Sequence, residues 1–427
     1  MKIVTHLGWW RTFIFIFVLG SGLASRMVYA DQVNTLGLKE AVTKTLEQNP
    51  QLYQYSFIQE SLIAKRSASD LAPALNLEVE VENFAGSGTY QSLDSAETTI
   101  ALSSVIEMGG TRQARVSVID ARSTRIELER QAATLDVLGE LTSIFIVGLA
   151  TQTNLELAKE ALTLSESLQK TVERRAEQGG APEAEVMRAK AAVYQAKIRV
   201  NALQKQFERQ SILLSRLWGD THTSFTALDG DLFEFGSSDS FASLYARVKT
   251  SPAIQIFASE ARLKEAEAKL AQANSRSDLV WRLGIRHLEE TDDTAVIAGV
   301  SIPLFSKNRN RGNVRAAIAE RDAVEYAEQQ ALLNLHSRLY KAYSLREQNR
   351  TAVNQMRLYA IPTLEKALTL TQEAYEIGRY RYQDLVSAQI ELLTVKQQQI
   401  EAAKNALLSQ ALIEQLTGEA LSQDNIQ

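Results

Sequence analysis

The chain has 427 residues, 45% hydrophobic and 23% charged, a globular balance that excludes a disordered polymer. It carries no cysteine, which excludes disulfides, thiolate metal sites, cysteine catalysis and a lipid-modified cysteine. A net charge of −5 argues against a nucleic-acid partner, and only six prolines and 20 glycines favour long uninterrupted elements.

Residues 1–30 are a separate piece. Lys2 and Arg11 precede the apolar run Phe13-Ile14-Phe15-Ile16-Phe17-Val18-Leu19, and Val28-Tyr29-Ala30 ends it as a small-x-small site. The run is too short to cross a bilayer as a helix, so it reads as a secretory signal peptide cut after Ala30. An uncleaved anchor is the competing reading. Cleavage removes Lys2, Arg11 and Arg26 and leaves 43 basic against 51 acidic residues, net −8.

A first helix is expected from about Leu38 to Ser69, without an internal breaker. The period then changes. Leu75, Leu77, Val79 and Val81 alternate with Asn76, Glu78, Glu80 and Glu82, which predicts a strand with one apolar and one acidic face. A loop opens at Ala85-Gly86-Ser87-Gly88, and a second strand runs from about Thr98 to Ile106. From about Thr111 to Ala176 nothing breaks a helix, and about 66 residues at ~1.5 Å each span ~100 Å. That length does not fit a compact domain. Gly179-Gly180 suits a helix C-cap and Pro182 the first turn of a return helix, which runs to about Leu217.

The same outline returns 199 positions later. Gly179 matches Gly378, Glu185 matches Asp384, and Leu217-Trp218-Gly219-Asp220 matches Leu416-Thr417-Gly418-Glu419. Asn49-Pro50 resembles Ser251-Pro252, and Arg112 resembles Arg309. The period is too long for a solenoid and reads as duplication of one large unit. Residues 31–220 form the first repeat, 221–240 a linker, and 241–427 the second repeat with its tail. In the second repeat a helix is expected from about Ser251 to Asn274. Leu279, Trp281, Leu283 and Ile285 alternate with Val280, Arg282, Gly284 and Arg286. A turn at Glu290 to Asp293 precedes Val296, Ala298, Val300 and Ile302. A long helix from about Asn313 to Tyr375 should bend or break at Pro362, and a return helix follows from Tyr382 to Leu416.

Val353, Met356, Ala360, Thr363, Ala367, Leu370, Ala374 and Ile377 step by threes and fours, a coiled-coil seam. Leu157, Ala161, Leu164, Leu168 and Thr171 repeat it in the first unit, and Leu358, Leu364 and Leu368 add a second apolar line. Two hairpins packed on a soluble core would be marginal. Segments of ~9–11 alternating residues also suit a membrane barrel, but four strands cannot close one when the smallest have ~8. A barrel would have to be shared between chains.

At this point the chain resembles the TolC family of outer-membrane channels, over nearly its whole mature length. The resemblance is carried by Leu36-Gly37-Leu38-Lys39-Glu40-Ala41 with Asn49-Pro50, by Ile106-Glu107-Met108-Gly109-Gly110-Thr111-Arg112, and by Ser301-Ile302-Pro303-Leu304-Phe305. Tyr375-Glu376-Ile377-Gly378 and Leu416-Thr417-Gly418 complete it. The two strand exits look closest to the branch serving cobalt–zinc–cadmium and copper efflux.

The resemblance implies a mainly α fold with a small β part: antiparallel coiled-coil hairpins plus four transmembrane strands per chain. A homotrimer would close a 12-stranded β-barrel, continued by an α-helical barrel across the periplasm. It implies an outer-membrane export duct of a tripartite system, docked on a periplasmic adaptor and an inner-membrane RND pump, exporting heavy-metal cations, with no catalysis and no cofactor. The corners Gly179, Gly180 and Gly378 become the adaptor-docking tips. Family closure uses acid–tyrosine and arginine contacts plus aspartate rings. The matching gate positions hold Glu185, Tyr375 and Asp384; the arginine position holds Tyr380, flanked by Arg379 and Arg381, and a second acidic ring position holds Ser387. Glu78, Glu80 and Glu82 would line the barrel lumen, with Arg282 and Arg286 neutralising them.

Competing readings stay open. The tip residues could be solvated caps, and the lumen charges could pair without setting selectivity. His222, His287 and His336 are far apart in sequence, so no dedicated metal site is expected. The cargo could be drugs or a secreted protein, and a periplasmic coiled-coil adaptor would explain the hairpins but not the strands. An enzyme fits least.

Overall fold

The computed structural model describes residues 34–236 and 239–419. The proposed signal peptide and the tail from Leu421 to Gln427 lie outside them. A short strand β1 (Thr35–Gly37) leads into α1 (Leu38–Gln48) and α2 (Pro50–Ser69). Strands β2 (Asn76–Glu82) and β3 (Glu97–Ile106) are followed by α3 (Thr111–Glu177) and its return helix α4 (Glu183–Ser215). After β4 (Ala227–Asp229) and α5 (Phe241–Val248) the pattern repeats as α6 (Pro252–Ala273), β5 (Leu279–Leu288), β6 (Asp293–Ser301) and α7 (Ser306–Gln355). One π-helical turn, Met356–Ala360, joins α7 to α8 (Ile361–Glu376), and α9 (Tyr382–Thr417) returns.

The first helix is two helices, contrary to the sequence expectation. Asn49 leaves the helical region at φ −68°, ψ 119°, as a residue before proline must. Pro50 then opens α2, where its missing amide donor costs nothing. The Asn49 carboxamide accepts hydrogen bonds from the amides of Gln51 and Leu52 at 2.9 and 3.2 Å. Its Nδ2 donates to the carbonyl of Leu217 at 2.7 Å, at the far end of the same repeat. In the second repeat Ser251 and Pro252 lie against Gly418, again joining the start of the unit to its end.

The main core forms where these closures meet. Leu36, Leu141, Phe145, Leu149, Trp218 and Leu228 are buried together there with Ile400 and Ala403. Strands β1 and β4 pair in parallel beside α3, and Gln152 of α3 exchanges hydrogen bonds with both the amide and the carbonyl of Leu228. The apolar middle of α3, long enough by composition for a membrane span, is half buried in this core.

One further boundary differs from the expectation. Helix α7 begins at Ser306, seven residues before the expected start. Pro362 does not break the rod; the π-turn just before it absorbs the missing donor and the ring. That turn also shifts the phase of the apolar stripe. Val353 is buried above it, but below it the inward line is Ile361, Leu364, Leu368 and Tyr375. The expected seam residues Leu370 and Ile377 stay exposed. In the first unit Leu168 is buried and Leu157, Ala161, Leu164 and Thr171 are half-buried.

Asn49→Ala should lower stability by about 2 kcal/mol, from a lost cap and an orphaned buried carbonyl. Asn49→Asp, which keeps the cap acceptor but not the donor to Leu217, should lose about half of that in thermal unfolding followed by circular dichroism.

Candidate functional site

Four strands form one antiparallel sheet in the order β2-β3-β5-β6. Register puts Leu77, Val79, Ile100, Leu102, Leu283, Ile285, Val296 and Val300 on one face, and all of them are exposed. The opposite face carries Glu78, Glu80, Glu82, Glu97, Arg282 and Arg286. Strand β3 lies between the glutamates of β2 and the arginines of β5, and its residues on this face, Thr99, Ala101 and Ser103, are small and buried. Gly284 completes the low ground: a Cβ there would stand 2.6 Å from the Ala101 side chain. The arginines therefore reach over β3. Arg282 pairs with Glu78 at 3.0 Å and Glu80 at 2.9 Å, and Arg286 with Glu82 at 3.0 Å and Glu97 at 2.6 Å. Ser103 donates to Glu78 at 2.7 Å, and Arg286 donates to Thr99 at 3.0 Å. Four carboxylates face two guanidiniums on this surface.

The opposite end of the molecule holds the two corners, which are built alike. Gly179 and Gly378 take φ of 74° and 80°, a left-handed conformation that side-chained residues rarely adopt. The amides of Gly180 and Arg379 each donate five residues back, to Arg175 and Ala374, at 2.7 and 2.9 Å. The amides of Gly179 and Gly378 each donate three residues back at 3.0 Å. This paired pattern is the Schellman ending.

Between the corners, Leu168, Val172, Val186, Leu368, Tyr375, Tyr382 and Leu385 pack α3, α4, α8 and α9 into one cluster. Tyr375 is 1% exposed, with its hydroxyl 3.5 Å from Glu185. Burial, then the Glu185 charge, raises the Tyr375 pKa above its ordinary value, and nearby Arg175 opposes the shift. Tyr382 is raised in the same way, by burial and Glu185.

The arginine of this network is Arg175, which the sequence reading missed. Its guanidinium donates to the carbonyl of Tyr375 at 2.8 Å and to that of Gly180 at 3.0 Å, and stands 4.4 Å from the Tyr375 ring centre. It thereby ties both corners together. The available signal was position: a basic residue four before the capping glycine lies beside the last carbonyls of its helix. Arg379, Tyr380 and Arg381 are exposed. Exposed Asp384 accepts a hydrogen bond from the Arg381 amide at 2.9 Å and so caps α9. The structure thus brings Glu185 and Tyr375 together and leaves Asp384, Tyr380, Arg379 and Arg381 outside that contact.

Two further polar ties join α3 to the second hairpin. Gln415 donates to Asp136 at 2.7 Å near the core. Midway to the tip, Lys396 of α9 pairs with Glu160 of α3 at 2.8 Å and with Glu365 of α8 at 3.2 Å. Burial alone would lower the Lys396 pKa, but its bonds to both carboxylates outweigh this and raise it. The π-turn lies between these levels.

Comparison with known proteins adds four findings. The model of the family described as Outer membrane efflux protein matches residues 41–220 and 248–419. The chain is 23% identical over 294 residues to the cobalt-zinc-cadmium resistance protein CzcC of Cupriavidus metallidurans, covering 68% of this chain and 70% of that one. It is 26% identical over 301 residues to the pyoverdine export outer membrane protein OpmQ of Pseudomonas putida, covering 66% of this chain and 56% of that relative's length. Among solved structures, CusC superposes with a TM-score of 0.76 at 15% identity, covering 90% of this chain and 92% of that one, which is likeness of fold.

Arg175→Gln should weaken the joined corners by about 2 kcal/mol per chain, from a charged hydrogen bond and a cation–π contact. It should also push the Tyr375 pKa further up, since the opposing charge is gone. In an ultraviolet titration of the parent chain, Tyr375 and Tyr382 should ionise after the exposed tyrosines. The sign follows from linkage: the fold favours the neutral phenol, so tip stability is intact below the ordinary value of 10.0 and falls as pH rises above it.

Proposed function

Because the chain belongs to the outer membrane efflux protein family, we propose that it is the outer-membrane duct of a three-part export machine for heavy-metal cations. It is an efflux channel of the outer membrane. Its finer assembly is a homotrimer with twelve strands closing a barrel, continued by a helical barrel into the periplasm. A signal peptide cut after Ala30 would send it there. The tips at Gly179, Gly180 and Gly378 meet a periplasmic adaptor that links the duct to an inner-membrane RND pump.

One observation carries this reading. The four-stranded sheet is apolar on one face and charged on the other, and among the described residues β2 and β6 each pair on one side only. Lipid suits the first face, water the second, and a neighbouring chain each free edge. Further support comes from α7, where Tyr326, Leu333 and Tyr340 recur every seven residues and are exposed, as a seam for another helix would be.

The cargo assignment rests on the metal-resistance relative and on the acidic surplus of the charged face, which favours cations in a lumen. The pyoverdine relative supports a second reading, export of a larger organic solute through the same duct. Gating is assigned to Arg175, Tyr375 and Glu185, with Asp384 shaping the corner as a cap.

Deleting the gene should raise sensitivity to zinc, cobalt and cadmium, with restoration by the intact gene; unchanged metal tolerance with impaired siderophore export would move the cargo to the second reading. In planar bilayers under a potassium chloride gradient, the reversal potential should show cation preference. Replacing Glu78, Glu80 and Glu82 together with Gln should shift it toward anions.

A further inference from the structure

Where the sheet passes into the helices, the two repeats treat their basic residues differently. In the first repeat Arg112 pairs with Asp70 at 2.9 Å and Arg115 with Glu107, so the junction neutralises itself. In the second, Arg276 follows α6, and Lys307, Arg311 and Arg315 recur every four residues from the start of α7. Among the described residues these four side chains have no salt bridge or hydrogen-bond partner, and the first turn of α7 contains no acid. Like charges at that spacing stand over one another on a helix and repel. Such a stripe is unfavourable unless something anionic lies against it.

Depth along the molecule says what that is. Val300 and Trp281 are cross-strand partners on the apolar face of the sheet, at the end nearest the helices. Beyond them Ile302, Leu304 and Phe305 are exposed, Phe305 at 75%. Lys307 and Arg311 follow within two helical turns. Arg276, Ser277, Phe305, Ser306 and Lys307 line one open groove. An apolar band, an aromatic and aliphatic collar and then unpaired cations is the order met on leaving a bilayer through its headgroups.

We propose that Arg276, Lys307 and Arg311 form a binding surface for the phosphates of anionic phospholipids in the periplasmic leaflet of the outer membrane. The proposal rests on the outer-membrane reading and continues the lipid-facing surface of the sheet past its last strand. The surface grips the leaflet at the level where the helices begin, and only the second repeat carries it.

The test is native mass spectrometry of the detergent-purified protein after exposure to equal phosphatidylglycerol and phosphatidylcholine with identical acyl chains. The parent protein should retain phosphatidylglycerol over phosphatidylcholine by about fivefold or more, the gain expected from even one cation near an anionic surface. The triple variant Arg276→Gln, Lys307→Gln, Arg311→Gln should retain the two nearly equally, and Arg112→Gln should keep the parental preference. An unchanged preference in the triple variant overturns the proposal. So does a triple variant that falls apart in lipid-free detergent while its surviving assemblies keep the preference, because the cations would then face a neighbouring chain. Bilayer conductance separates the two levels: a parent protein that conducts without lipid preference overturns this inference alone, and one that neither conducts nor retains phosphatidylglycerol overturns both.

Discussion

A sheet with one apolar face, one charged face and two free edges constrains everything else in this chain. Each exposed valine, leucine or isoleucine on the apolar face forgoes about 1.5–3 kcal/mol that burial would supply. Among the described residues no helix covers that face, and the open edges offer unpaired backbone groups to any neighbour. The cheapest environment for such a surface is a bilayer on one side, water on the other and identical sheets at both edges. On the proposed reading, membrane insertion and assembly would both follow from one arrangement of side chains.

The long helices follow from the same arrangement. Their apolar lines are divided between contacts inside the chain and surfaces left for others. Inside, α3 lies between its return helix and α9, and three polar ties connect it to the second hairpin at successive heights. Asp136–Gln415 lies near the main core, Glu160–Lys396 midway and Arg175–Tyr375 at the tip. The π-turn before Pro362 sits in the second hairpin alone. That hairpin therefore contains the irregular turn, and its ion pairs at the level of Lys396 are half-buried rather than fully exposed.

Much of this was legible in the residues. Two-residue alternation located the four strands of the antiparallel sheet to within three positions, the start of β6 being the furthest off, because a strand between lipid and water must alternate cleanly. The duplication was visible because Gly179 and Gly378 are needed for their backbone conformation, whatever surrounds them. Other features were hidden by tertiary geometry. Asn49-Pro50 was on the page, yet the continuity of apolar residues around it suggested one helix. Of the two apolar lines expected below Pro362, Leu364 and Leu368 of the second face the chain's own core, whereas Leu370 and Ile377 of the first stay exposed, because a π-turn shifts the phase of every later residue and leaves no mark in composition. Arg175 was missed because its partners are backbone carbonyls, one of them from a corner 200 residues away. Arg282 and Arg286 were foreseen as partners of the glutamates, but their reach across β3 depends on Ala101 and Gly284 being small.

We propose that the chain is one third of a membrane pore. The most direct measurement is the protein mass of the purified particle in detergent, by light scattering with the detergent contribution subtracted. A single species of three chains that requires detergent to stay in solution is expected. A stable monomer in detergent-free buffer, with its sheet intact by circular dichroism, would contradict it.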